Sequence, residues 1–243
     1  MLSPKIIFQD DDILIINKPS GLVVNRAESV KGKTLQDWIE NQFSIFNFQF
    51  SNKNEEDFIR RSGIVHRLDK DTSGVLVVAK NAKTFKYLQK QFKERRVVKK
   101  YLCLVHDKVE PRVGDIKMPL GRNPEDRKKF TVRLEGRKAV TEYKVLKHIK
   151  KASQLFSLLE VNLKTGRTHQ IRVHLKHIGH PIVSDPIYLG EKRLRGDKEW
   201  CSRLFLHAQY LSFIHPKTGK RVEFKGEIPK ELCLKFLERY AED

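Results

Sequence analysis

Two carboxylates stand two residues apart in the stretch GIVHRLDKDTSGVLVVAK, residues 63–80: Asp69 and Asp71. Side chains two apart on an extended backbone share a face. Arg67 is therefore expected beside Asp69, with His66 and Leu68 turned the other way. A guanidinium next to a carboxylate favours the charged form. A charged, oriented carboxylate suits a nucleophile and not a general acid, which must hold a proton. On these residues alone a second reading stands equal to it: a structural Arg–Asp pair beside a turn built by Asp71, Thr72, Ser73 and Gly74.

A third reading takes the two acids as a DxD phosphatase loop, with Asp69 as nucleophile, Asp71 as acid and magnesium nearby. That loop follows an uninterrupted apolar strand, whereas His66 and Arg67 intrude here, the threonine falls one position early, and no later acid pair plainly completes a magnesium site. The second chemical constellation is LKTGRTHQIRVHLKHIGHPIVSDPIYLG, residues 163–190. Thr168 is expected to cap a short helix ending near Gly179. On it His169, Arg172 and Lys176 would form a polar basic stripe opposite Ile171, Leu175 and Ile178. His169, His174, His177 and His180 raise the question of zinc. There is no HExxH, no acid is interleaved, and neighbouring Arg and Lys would repel a cation, so no metal is expected.

The elements that must hold these groups follow from periodicity and punctuation. Ile13–Ile16 and Leu22–Val24 read as strands around the Asn-Lys-Pro-Ser-Gly turn at 17–21. Thr34 with Asp37 resembles a capping box, followed by Leu35, Trp38, Ile39 and Phe43 at helical spacing. Residues 44–57 read as a loop whose phenylalanines pack as a small satellite cluster. The opening stretch reads as strand, turn, strand. Asn81 then caps a helix with Phe85, Leu88 and Phe92 inward and four lysines spread elsewhere around it. Val97–Val105, Ala139–Leu146, Leu155–Leu163, Leu204–Phe213 and Arg221–Phe224 read as strands, and about 229–241 as a final helix. Residues 107–130, rich in Pro, Gly and basic side chains, read as an extended excursion too polar for a core. No repeat or low-complexity linker appears, which gives one α+β domain over residues 1–243.

Composition narrows the partner. Hydrophobic residues make up 39% and charged residues 33% of 243, a globular balance. Lys and Arg number 49 against 30 Asp and Glu, a formal +19. An extended polyanion most naturally relieves such self-repulsion. Cys103, Cys201 and Cys233 are scattered, with no CxxC, which fits a reducing compartment. No apolar run approaches the ~18 residues of a membrane span, and MLSPKIIFQDDD lacks the marks of a targeting peptide. A cytoplasmic protein is expected, with a monomer as the default.

Three blocks resemble the RluA-type RNA pseudouridine synthases: INKPSGLVV at 16–24, VHRLDKDTSGVLVVAK at 65–80, and the 163–190 stretch. They come in that family's order, with RLFLHAQYLSFIHPKTG at 203–219 as a fourth matching segment, and the likeness runs from about residue 6 to about 226. The resemblance implies the family's α+β fold, two lobes around a mixed, mainly antiparallel sheet with flanking helices and a basic central cleft. It implies RNA, ribosomal or transfer, as partner and a redox-neutral isomerisation of uridine that needs no cofactor. It matches Asp69 to the catalytic aspartate and Arg67 to an arginine that enters the RNA and holds the target nucleotide out. Tyr101 matches the tyrosine that stacks on uracil, and Arg172 the basic residue that salt-bridges the catalytic aspartate. The segment 119–129 resembles a mobile basic loop gripping RNA, bringing Arg122, Arg127, Lys128 and Lys129. Many relatives carry a small RNA-binding domain before the first block. Here that block starts within two dozen residues, so the catalytic domain is expected to find RNA largely by itself. An RNA-binding, chaperone-like module with a vestigial pocket is the alternative of a different class; the intact Asp69, Arg67, Tyr101 and Arg172 set weighs against it.

Overall fold

The computed structural model describes residues 3–28, 30–43, 55–232 and 241–242. The first elements are β1 (Lys5–Gln9), β2 (Ile13–Lys18), α1 (Leu35–Gln42), α2 (Glu56–Arg60), β3 (Ser73–Ala79) and α3 (Ala82–Lys93). Next come β4 (Val98–His106), β5 (Val113–Ile116), β6 (Leu120–Arg122), β7 (Phe130–Val132), β8 (Thr141–Lys151) and β9 (Gln154–Leu163). The chain then runs through α4 (Gln170–His177), α5 (Glu191–Lys198), β10 (Leu206–Ile214), β11 (Arg221–Lys225), a 3-10 turn at Lys230–Leu232 and β12 (Ala241–Glu242). This is the α+β class expected. The chain divides into two compact units, Met1–Val98 with Ala208–Glu227, and Lys99–His207 with Ile228–Asp243.

In the first unit the strand order is β1-β2-β3-β10-β11, with β1/β2, β2/β3 and β10/β11 antiparallel. The runs ILIINK and SGVLVVA lack polar alternation because β2 and β3 are covered on both faces; β3 is buried throughout. The capping box is present: Thr34 Oγ1 accepts from the Asp37 N–H at 3.2 Å, and Asp37 accepts from the Thr34 N–H at 2.7 Å. Leu22–Val24 is not a strand. The carbonyls of Val23 and Val24 accept from the Leu35 and Gln36 N–H groups, so this apolar segment satisfies the first turn of α1. Asn81 caps α3 as expected, accepting from the Thr84 N–H at 2.9 Å. The buried Gln91 side chain on α3 bonds both the N–H and the C=O of Ile214, each at 2.8 Å, and so fixes α3 to the end of β10. Of the loop read over 44–57, residues 44–54, which carry its phenylalanines, lie outside the described residues; Glu56 and Asp57 at its end begin α2.

The second unit is built on β4-β9-β8, antiparallel throughout, with β5 and β12 pairing on β8. The excursion at 107–130 is more regular than its composition suggests. It supplies β5 and, with β7, a separate two-stranded sheet β6/β7. A small apolar cluster of Leu120, Ala139, Val173 and Tyr188, joined by Phe130, Val132 and Ile187, packs that hairpin onto α4. The final helix falls mostly on residues 233–240, outside those described; within its span Lys230–Leu232 is a 3-10 turn and Ala241–Glu242 pairs with β8. No helix among the described residues is long and apolar enough to cross a membrane.

Candidate active site

Asp69 sits half-buried on a loop that leads into β3, between Leu68, 4% exposed, and the exposed Lys70. The loop is fastened on both sides. Toward β3, Ile64 bridges Val78, the Gly63 carbonyl accepts from the Ala79 N–H at 2.9 Å, and His66 Nε2 accepts from the Val77 N–H at 3.1 Å. The His66 ring also stacks on Phe92 of α3, with centroids 4.6 Å apart. His66 is thus a structural group whose Nε2 lone pair is used, not an acid–base candidate.

The other side is held by the Asn-Lys-Pro-Ser-Gly turn. Lys18 is 1% exposed, and its ammonium donates to the carbonyls of Pro19 at 2.9 Å, Leu22 at 2.8 Å and Lys70 at 3.1 Å. A buried ammonium needs three acceptors, and three carbonyls are supplied. Ser20 Oγ donates to the Asp71 carbonyl at 2.7 Å, and the Gly21 N–H to the Lys70 carbonyl at 2.8 Å. The backbone on the C-terminal side of Asp69 is therefore pinned at residues 70 and 71 by the 18–21 turn. Asp71 contributes its carbonyl to that lock, in keeping with the turn role.

The same-face pairing of Arg67 with Asp69 is not observed. Among the described residues these two form no ion pair, and Arg67 is exposed. The reason is local: residues 65–72 are irregular and not a strand, so the period-two alternation does not apply.

In the second unit Tyr101 lies on β4 and is 8% exposed. Its register partner is Val161 of β9, which in turn faces Tyr143 of β8, so the three side chains occupy one face of the sheet. Arg172 on α4 is 1% exposed and forms a two-point ion pair with Asp185, Nε to Oδ2 at 2.8 Å and Nη2 to Oδ1 at 2.6 Å. Asp185 Oδ1 also accepts from the N–H groups of Ile187 at 2.9 Å and Tyr188 at 3.0 Å. One carboxylate thus folds the Asp-Pro-Ile-Tyr turn and orients the guanidinium.

The expected basic stripe on α4 needs correction. Gln170 through Leu175 are all buried, and of the three stripe residues only Lys176 is exposed. Thr168 is not the cap: the N-cap is His169, in the left-handed region at φ 56, with no side-chain cap bond. The buried Gln170 instead ties the entrance of the helix to the preceding loop and to the start of β8. Its Oε1 accepts from the Arg167 N–H at 3.0 Å, and its Nε2 donates to the Val140 carbonyl and Thr141 Oγ1 at 3.0 and 2.9 Å. His174, 0% exposed, bonds Thr141 Oγ1 through Nδ1 at 2.8 Å and the Met118 carbonyl through Nε2 at 2.9 Å. A carbonyl can only accept, so Nε2 carries the hydrogen. Burial holds this imidazole below its ordinary pKa, more than the Met118 carbonyl raises it. Of the other histidines weighed as zinc ligands, His169 bonds Tyr188 Oη and His180 the His106 carbonyl.

Arg122, Arg127 and Lys128 are exposed in the β6/β7 segment, and Lys129 is half-buried in an ion pair with Asp126 at 3.2 Å. Arg122 donates to the Arg127 carbonyl at 2.8 Å and lies 5.3 Å from the Phe130 ring centroid. Sequence reasoning missed Lys18, Asp185 and Tyr188. A lysine at the end of an apolar strand and an Asp-Pro turn were the available signals.

These features have relatives. Residues 12–177 match the family described as RNA pseudouridylate synthase, and the chain belongs to that family. It is 40% identical over 228 residues to an uncharacterized RNA pseudouridine synthase, YlyB, of Bacillus subtilis, spanning 94% of this chain and 70% of that one. It is 36% identical over 239 residues to ribosomal large subunit pseudouridine synthase D of Zymomonas mobilis, spanning 96% and 71%. Among solved structures it is similar to human RNA pseudouridylate synthase domain containing 1, with a TM-score of 0.72, 27% identity and coverage of 99% and 89%. Human RNA pseudouridylate synthase domain containing 4 follows at 0.71, 25%, 98% and 94%. The chain is an RNA pseudouridine synthase, an isomerase acting on uridine in RNA.

Proposed function

We propose that this synthase modifies ribosomal RNA, with Asp69 as its nucleophile. The observation that carries the residue assignment is the fastening of the Asp69 loop, by β3 on one side and by Lys18, Ser20 and Gly21 on the other. A reacting carboxylate must be held within a fraction of an ångström, and a loop locked through its backbone supplies that. The RNA class is suggested by the name of the Zymomonas relative; transfer RNA is the competing substrate.

Asp69 attacks either the anomeric carbon or the uracil ring, or assists elimination at the sugar. By each route the bond from ribose to nitrogen breaks, the base turns, carbon 5 joins the sugar, and the proton on carbon 5 is lost. Tyr101 offers the uracil a π face. A phenol ordinarily titrates near pH ~10, so stacking is its simpler part. Arg67, exposed, fills the space left by a flipped nucleotide, since extrusion costs a few kcal/mol of unstacking. Arg172 is assigned a positioning part: its pair with Asp185 holds the Asp-Pro-Ile-Tyr turn. Arg122, Arg127, Lys128 and Lys129 contact phosphates. We place all of this in one domain, acting as a monomer in the cytoplasm, on RNA alone and with no cofactor or metal.

The test is tritium release from RNA labelled at carbon 5 of uridine, comparing large-subunit ribosomal RNA with transfer RNA. Release from ribosomal RNA that is abolished in Asp69→Ala is expected. Release confined to transfer RNA would move the substrate; equal release by both proteins would remove Asp69 from the chemistry.

A further inference from the structure

Two pockets among the described residues of the second unit differ in electrostatic character. The larger, about 610 Å³, is lined by Lys100, Lys117 and Lys144 but also by Asp115, Glu142 and Glu160. Its acids answer its lysines, Lys100 with Glu160 at 3.1 Å and Lys117 with Asp115 at 2.6 Å, so it presents little field to a polyanion. The smaller, about 170 Å³, lies between the β6/β7 hairpin and α4, and no acid lines it. Its walls include Phe130 and Tyr188, and its polar groups are Asn123, Lys129, Lys176 and His177.

The aromatic walls are fixed before any ligand arrives. Tyr188 Oη accepts from the Phe130 N–H at 2.9 Å and bonds His169 Nδ1 at 2.8 Å, which ties the hairpin to the start of α4. The Asp185 carboxylate holds the turn that carries Tyr188. Lys176 is exposed, its ammonium 5.8 Å from the Tyr188 ring centroid, and among the described residues it has no carboxylate partner. A half-buried aromatic ring, an unanswered cation and an amide side chain together suit one nucleotide: a planar base against Phe130, which the buried Tyr188 holds through the Phe130 N–H, its phosphate on Lys176, its edge within reach of Asn123. The volume admits a single base and not a duplex.

We infer that this pocket is a second nucleotide subsite, which holds an unpaired nucleotide of the RNA substrate other than the uridine being isomerised. The inference rests on the reading of the substrate as RNA. It adds Asn123, Phe130 and Lys176 to the residues that grip it, with the buried Tyr188 holding Phe130 in place. A captured neighbour would restrain the strand through the hairpin and α4, the helix that also carries Arg172.

The experiment measures binding of a large-subunit ribosomal RNA transcript across a salt series, together with tritium release. Lys176→Ala is expected to raise Kd and KM by roughly three- to tenfold and to flatten the salt slope by about 0.7, the loss of one single-strand phosphate contact. Its kcat should be unchanged, and Lys176→Arg should restore the slope. Lys144→Ala removes the same charge from the acid-lined pocket and should leave the slope as it is. RNA carrying 4-thiouridine should cross-link to a peptide containing Phe130 or Tyr188. A Lys176→Ala slope superimposed on wild type, or one matched by Lys144→Ala, overturns the subsite, as does the absence of that cross-link. Asp69→Ala separates the two ideas: it should bind with the wild-type slope while releasing no tritium, so the chemistry can fail without the subsite and the reverse.

Discussion

Arg172 and Asp185, thirteen residues apart in sequence, meet side-on through two hydrogen bonds at 1% and 0% side-chain exposure. A buried pair of this kind is costly to break from one side, because the partner is left charged and dry; the typical loss is about 3–5 kcal/mol. Asp185→Ala should therefore lower stability by that order in denaturant unfolding and should also free the Tyr188 turn. Arg172→Met combined with Asp185→Leu should be less damaging than either single change, since neither leaves a charge behind. Single variants within about 1 kcal/mol of wild type would show that the pair does not lock the fold.

The Lys18 clamp predicts a split between folding and function. Lys18→Met keeps the length and apolar stem but leaves three carbonyls without their shared donor, at about 1–3 kcal/mol for each one that water cannot reach. Since one of those carbonyls belongs to Lys70, next to Asp69, turnover should fall further than RNA binding does. Steady-state kinetics decide it: a variant with raised KM and wild-type kcat would show that Lys18 does not position the loop.

The physical range of an interaction decides how much of this was legible in the sequence. The capping box at Thr34, the Asn81 cap and the apolar runs of β2 and β3 are local, and residues a few positions apart declare them. Asp69 stood out in the sequence as part of a motif, but the geometry around it was not legible. The alternation that placed Arg67 beside it presumes a strand, and the loop is held instead by a lysine 51 residues before the aspartate, through the Lys70 carbonyl. Arg172 was read as part of a surface stripe because a helical wheel shows the spacing of charges and not their burial. Only the long-range pair with Asp185 makes that burial affordable. Leu22–Val24 looked like a strand because apolar residues say that a segment is covered, not where its carbonyls bond.

Gly74, the second residue of β3, has φ 126, and a Cβ placed there would lie 2.2 Å from the Ala208 carbonyl oxygen. Both the backbone angle and the neighbouring strand forbid a side chain. Gly74→Ala should displace the turn at 71–73 that follows Asp69, with loss of soluble yield or of activity, whereas Gly179→Ala, with open space around its Cβ, should be penalised only by its φ of 90. Equal thermal stability of the two variants would contradict the close approach.

The buried His174 makes stability depend on pH with a definite sign. Burial lowers its pKa in the folded protein, with a lesser opposing pull from the Met118 carbonyl and a small push from His177. The unfolded chain takes up its proton near pH ~6.5, before the folded protein does. At and above neutrality neither state is protonated and the His174 network contributes in full. As pH falls below that unfolded value, the unfolded state binds the proton first and stability is lost until the folded pKa is reached. His174→Gln retains an amide donor for the Met118 carbonyl and an acceptor for Thr141 but cannot titrate. Urea unfolding between pH 7.5 and 5, with roughly one ionisation as the quantity at stake, should show a steeper decline for wild type than for His174→Gln. Parallel curves would mean that His174 is not protonated differentially and that the acid sensitivity of the fold lies elsewhere.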